Sequence, residues 1–284
     1  MKLLRFVDQA GSPALGALVD GGVAPLSALA PEYAQMRQIA AADREALQRL
    51  SDRVAGAKPQ FALADLELLA PIERPGKYLA IGMNYGAHAK EAEKLGVTVS
   101  KHQTWFNKQT TCIVGPYAQI DPGVTERLDY EVELGVVIGA PAKGVSEADA
   151  HRHVFGYFVA NDVSARDWQF HSPTFTMGKS FDTHGPIGPW IVTADEIPDP
   201  HSLDLRCLVN GEQRQSSNTS KLIHNIWQQI AYLSTAFTLE TGDLLATGTP
   251  EGVGVGMDPP RFLTSGDVVR CEVDGIGAIE NRVR

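Results

Sequence analysis

The chain has 284 residues, 43% of them hydrophobic and 21% charged, with a net charge of −9. That length can bury a sizeable core in one large domain or two. The acidic balance, with no basic run and no basic patch interleaved with aromatics, argues against nucleic acid and anionic membrane as partners. No apolar run approaches the roughly 20 residues needed to cross a bilayer. The first eight residues break with charge before any leader-type apolar core forms, so a cytoplasmic protein is expected. Cys112, Cys207 and Cys271 are odd in number and widely spaced, which reads as reduced thiols.

The 27 glycines and 17 prolines point to many turns and a β-rich fold. Residues 3–7 and 14–19 are short strand-like runs, and residues 33–57 carry helical spacing in Met36, Ile39, Leu47, Leu50 and Val54. Nothing chemical recurs there, so residues 1–70 read as a small N-terminal α+β module. From residue 71 onward the strand-like stretches are 78–81, 105–106, 112–114, 131–138, 154–160, 190–192, 205–209, 243–246 and 268–273. Helical segments are expected only near 86–95, 146–152 and 223–238. Strands outnumber helices and do not alternate with them, which favours an α+β domain built on a rolled β-sandwich over a βαβ sheet.

In Asp129-Tyr-Glu-Val-Glu-Leu134 the side chains of a strand alternate faces, placing Asp129, Glu131 and Glu133 on one side of an otherwise apolar run. Same-face neighbours lie roughly 6.5–7 Å apart, and ionised carboxylates that close in a buried strand call for a cation. Asp162 ends another buried run and can converge on them. Two Glu and one Asp, without a Cys ligand, form a hard-oxygen set suited to Mg²⁺, with Mn²⁺ or Ca²⁺ as alternatives. Taken singly, each of these acids also reads as a wet strand face or a turn cap.

His88 and Glu91 are three residues apart on an expected helix and face the same way, an arrangement in which a carboxylate orients a histidine as general base. Without context such a pair is as readily a surface contact. Lys179 follows Gly178 but lacks the second glycine of a phosphate-binding loop, because position 173 is Pro. It could reach the carboxylates or lie in solvent. Thr249, in the glycine-rich stretch after residue 246, could present a hydroxyl or an N–H to a developing oxyanion. No Gly-x-Ser-x-Gly elbow is present.

Taken together and in order, Tyr78-Leu-Ala-Ile-Gly-Met-Asn-Tyr-Gly-Ala-His88, Asp129-Tyr-Glu-Val-Glu-Leu134, Asn161-Asp-Val-Ser-Ala-Arg-Asp-Trp-Gln169, Gly178-Lys-Ser-Phe-Asp-Thr183 and Thr247-Gly-Thr-Pro-Glu-Gly252 resemble the fumarylacetoacetate hydrolase family over roughly residues 71–284. The resemblance implies a mixed β-sandwich-roll catalytic domain, usually a homodimer. It makes Glu131, Glu133 and Asp162 metal ligands, His88 the base oriented by Glu91, and Lys179 and Thr183 contacts on the metal side. Arg166, Gln169 and Thr249 fall where relatives hold substrate. The hydrolase that names the family has a further aspartate ligand upstream of its histidine, where this chain reads Ile81-Gly-Met-Asn84. The expected activity is metal-dependent hydrolysis of a carbon–carbon bond in a small 2,4-diketo acid, an acylpyruvate or a sugar-derived diketo acid. Decarboxylation or keto–enol isomerisation of oxaloacetate-like or catechol-pathway acids is the alternative at the same site.

Overall fold

In a computed structural model that describes residues 1–94 and 96–284, a large mixed sheet carries the site. Its strands run in the order Phe61–Ala62, Gly22–Pro25, Pro13–Val19, Lys2–Val7, Gly185–Thr193, Val154–Asn161, Val132–Ile138, Leu244–Ala246, Tyr78–Gly82 and Thr104–Asn107. Leu244–Ala246 and Tyr78–Gly82 are parallel neighbours; most other pairs are antiparallel. A second, four-stranded sheet orders Glu212–Asn218, Asp204–Val209, Val268–Val273 and Gly277–Arg282.

The two faces of the central strand explain both cores. Val132, Leu134, Val136 and Ile138 share a cluster with Leu205, Cys207, Val269, Cys271 and Ile279 of the smaller sheet. Val137 points the other way, with Phe158 and Ala160, into a cluster with Leu3, Met36, Ile39 and Leu50. This period-two split is what the alternating sequence dictates. The first 70 residues therefore contribute strands and core side chains to the same sheet as the remainder: Lys2 and Leu3 pair with Val192 and Ile191.

Several elements differ from the sequence reading. The single helix expected over 33–57 is two, Met36–Ala40 and Arg44–Ala55, because the Asp43 side chain caps the second by accepting from Ala46 N at 2.8 Å. The helix expected from 223 starts at Ile226, where Asn225 and Gln228 form a capping box. Glu212–Asn218 escaped notice because its residues are polar throughout. It pairs with Asp204–Val209 across Asn210 and Gly211, both at positive φ, a turn suited to tight hairpins. Among the described residues, no helix is long and apolar enough to cross a membrane.

Candidate active site

The site is assembled by one antiparallel register. Asp129 pairs with Ser164 and Val132 with Asn161, and between them the Asp162 N–H donates to the Glu131 carbonyl at 2.9 Å. Glu131 and Asp162 are thereby opposite one another, and Glu133 lies two residues further along the same face. Carboxylate oxygens of Glu131, Glu133 and Asp162 lie within 4.8 Å of one another, and all three residues are buried.

Two lysines meet them. Lys179 Nζ stands 2.7 Å from Glu131 Oε2 and 2.8 Å from Asp162 Oδ2, and 5.1 Å from the centre of the Phe106 ring. Lys179 reaches this point because the short helix Thr176–Lys179 lies flush on Arg166–Gln169: a Cβ on Gly178 would run into the Gln169 backbone. The glycine before the lysine serves close packing, not phosphate binding. Lys108, which sequence reasoning missed, is fully buried, donates to Asp162 Oδ1 at 2.5 Å and also bonds the Lys179 carbonyl. A lysine one residue beyond a short strand reads as a surface residue, and nothing local distinguishes it.

Arg166 is similarly committed. Its Nε bonds Asp129 Oδ2 at 2.8 Å, its Nη1 bonds Gln169 Oε1 at 3.0 Å, and its Nη2 forms an ion pair with Glu131 Oε1 at 2.7 Å. Asp129, also missed as a working residue, accepts in addition from Gly254 N and Val255 N at 2.7 and 3.0 Å. It is held away from the triad, as an anchor for Arg166.

Charge decides what the cluster can bind. Asp129, Glu131, Glu133 and Asp162 face three cations, Arg166, Lys179 and Lys108, so one negative charge is left over in a buried space. The surplus falls on Glu133. Burial, reinforced by the neighbouring Asp162 and Glu131 charges, pushes its carboxyl well above the usual range, although the Gly248 N–H donates to it at 2.7 Å. Burial acts in the same sense on Glu131, but Lys179 and then Arg166 outweigh it and draw that carboxyl down to about 2. Three buried carboxylates, one of them lacking a cationic partner, fit a hard divalent cation.

His88 Nδ1 and Glu91 Oε2 are 2.9 Å apart on the helix Gly86–Lys94, and both residues line the same cavity of about 300 Å³ as Glu131, Lys179, Arg166, Gln169 and Thr249. The lining also carries apolar side chains, among them Ile81, Phe106, Phe175 and Val253. Glu91 is steadied from behind by Gly252 N at 3.3 Å, and a Cβ on Gly256 would strike its carboxylate. Gly256→Ala should therefore swing Glu91 off His88. Turnover is expected to fall about 10²-fold, since small misplacements carry that penalty, with the urea midpoint unchanged because only a flexible side-chain end must move; parallel loss of both would contradict this.

Two expected side chains are engaged elsewhere. The Thr249 hydroxyl donates to Val132 O at 2.9 Å and accepts from Gln215 Nε2 at 2.8 Å, while its backbone N–H has no partner among the described residues. Thr183 Oγ1 accepts from Asp121 N at 2.8 Å and bonds none of the three carboxylates. Asn84, in the stretch Ile81-Gly-Met-Asn84, is buried and bonded to His224 O and Thr247 O at 2.9 and 2.8 Å, a structural role.

Residues 77–284 match the family described as fumarylacetoacetate (FAA) hydrolase, C-terminal. A mitochondrial oxaloacetate tautomerase, fahd2, of Xenopus laevis is 43% identical over 290 residues, covering 100% of this chain and 90% of that protein. The fumarylacetoacetate hydrolase of Exiguobacterium antarcticum is 34% identical with a TM-score of 0.83, covering 100% of this chain and 99% of that one. The maleylpyruvate hydrolase of Sphingobium sp. SYK-6, solved with manganese(II) and pyruvate, is 30% identical with a TM-score of 0.81, covering 100% and 98%. A buried carboxylate triad, a histidine–glutamate pair beside it and a match over the whole catalytic region lead to one conclusion: the chain belongs to the fumarylacetoacetate hydrolase family.

Proposed function

We propose that the protein is a divalent-cation-dependent enzyme of 2-oxo acids that moves a proton between carbon 3 and the adjacent ketone oxygen, with an oxaloacetate-like acid as substrate. The observation that carries this reading is that the His88–Glu91 pair and the Lys179–Glu131 pair border one cavity, which brings a candidate base and a candidate acid to the same small space. The frog tautomerase's identity over the full chain supports the same reaction class.

With Glu91 accepting from Nδ1–H, His88 Nε2 is the proton acceptor, and Glu91 stabilises the imidazolium that results. His88 takes a proton from carbon 3 as the electron pair moves onto the ketone oxygen. Lys179, positioned by Glu131 and Asp162, stabilises that oxygen and supplies its proton, and the reverse sequence returns the ketone. Glu131, Glu133 and Asp162 would hold the cation, Mg²⁺ by our assignment with Mn²⁺ as the substitute. When bound it supplies Lewis acidity at the 2-oxo acid and offsets the surplus charge on Glu133.

Carbon–carbon hydrolysis of an acylpyruvate is the second reading. It is favoured by the apolar wall of Ile81, Phe106, Phe175 and Val253, which accommodates an acyl tail, and by the spare Thr249 N–H, suited to an oxyanion. The test is the ultraviolet enol absorbance of oxaloacetate and of a panel of acylpyruvates with Mg²⁺ and after EDTA, with released pyruvate measured enzymatically. EDTA-sensitive enol–ketone exchange of oxaloacetate without bond cleavage supports the first reading. Pyruvate release from acylpyruvates, with no acceleration of oxaloacetate exchange, replaces it with the second.

A further inference from the structure

We infer that Arg127 reads the second carboxylate of the substrate, so that the site selects 2-oxo diacids over 2-oxo monoacids; this rests on the 2-oxo acid reading above. The basic side chains that line the cavity are His88, Arg127, Arg166 and Lys179. Lys179 is spent on Glu131 and Asp162, Arg166 on Asp129, Glu131 and Gln169, and His88 faces Glu91. Among the described residues, Arg127 alone of the four has no carboxylate within ion-pairing distance. The acid on the neighbouring turn, Asp167, is taken by the Thr125 hydroxyl and by Glu126 N at 3.1 Å.

Its backbone is fixed while its side chain is exposed. Leu128 pairs with Ala165, and the Arg166 N–H donates to the Arg127 carbonyl at 3.0 Å, so the two arginines are opposite one another across the strand pair. Like charges placed opposite in this way repel. Arg166 carries its own ion-paired acids, while Arg127 forms no ion pair among the described residues, which leaves it the arginine of the two open to an anion. Arg127 and Glu131, four residues apart in the chain, both line this one cavity. The first carboxylate then lies toward the triad and the second at the guanidinium, which can clasp it with two parallel N–H bonds.

The experiment compares the wild type with Arg127→Gln and Arg127→Lys on oxaloacetate and on its 4-methyl ester, which keeps the 2-oxo acid and loses the distal charge. In R127Q the KM for oxaloacetate is expected to rise about 10-fold or more, with kcat little changed and the KM for the ester unaltered, and R127K should recover part of the loss. An equal change on both compounds, or none, overturns the assignment. Calorimetry on the full chain with L-malate and 2-hydroxybutyrate, which differ by the distal carboxylate, separates this idea from the reaction. A wild-type preference for malate that R127Q abolishes supports Arg127 even when neither oxo acid turns over, in which case only the reaction assignment falls. Equal affinities in the wild type, absence of binding included, or an undiminished preference in R127Q, overturn it.

Discussion

Replacing His88 by alanine is expected to lower turnover by about 10²–10⁴-fold, the usual contribution of a positioned general base, while leaving divalent-cation binding unchanged. The separation follows from the layout. His88 lines the cavity and bonds Glu91, and the structure records no bond from it to Glu131, Glu133 or Asp162 among the described residues. Its loss removes the group that receives the carbon-bound proton without removing a carboxylate. The loss should appear in kcat more than in KM, because nothing that holds the ground-state carboxylates is touched. Glu91→Gln keeps an acceptor for Nδ1–H but not the charge that stabilises the imidazolium, so a smaller fall is expected there. Cation binding is read by calorimetry and turnover by enol absorbance. A His88→Ala protein with near-normal turnover would end the base assignment for both proposed reactions.

The second large effect is a stability gain accompanied by a loss of function. Glu133→Gln is expected to stabilise the cation-free protein at pH 8 by roughly 1–3 kcal/mol, because a buried carboxylate without a cationic partner is replaced by a neutral group of the same shape. The Gly248 N–H retains an acceptor in the glutamine carbonyl. The same substitution should abolish cation-dependent stabilisation, which for an intact site amounts to about 2.7 kcal/mol at a cation concentration of 100 times Kd.

The pH dependence has a definite sign. The Glu133 carboxyl is raised in the folded state, so the folded chain retains a proton that the unfolded chain has released. Stability without cation therefore falls as pH rises above the ordinary glutamate value of 4.5, and in the Gln variant that slope is reduced. Glu131 acts in a separate window. Its carboxyl is drawn down to about 2, so its contribution is present above 4.5 and is lost as the pH falls between those values. Urea melts of both proteins at pH 3, pH 5 and pH 8, with EDTA and with Mg²⁺, check both windows. A Glu133→Gln protein less stable than the wild type in EDTA at pH 8 would show that the carboxylate is already compensated.

Much of the site was readable because it is local. Glu131 and Glu133 share a face through the period-two alternation of a single strand, and Asp162 ends the apolar run that pairs with it. His88 and Glu91 meet through helical spacing alone. The sheet-dominated α+β architecture followed from many short strands and few helices. What local pattern cannot carry is long-range pairing. Residues 1–70 read as a separate module because their own strands and helices are self-consistent, yet Lys2–Val7 lies between Pro13–Val19 and Gly185–Thr193 in one sheet. Glu212–Asn218 lacks the apolar alternation that marks a strand and is held by the register of its neighbour.

The division of labour within the site has the same physical origin. Residue types and their spacing placed the three acids and the proposed base, since side-chain direction along one element depends only on its period. Tertiary packing alone decided which cations are spent. Lys108 lies far in sequence from the Asp162 it neutralises, Asp129 anchors Arg166 while two loop N–H groups hold it in place, and the Thr249 hydroxyl is turned to Val132. Coulomb attraction in a buried space depends on through-space distance, and the chain order of these groups does not encode it. Among the described residues, the same accounting leaves Glu133 and Arg127 without an ion pair.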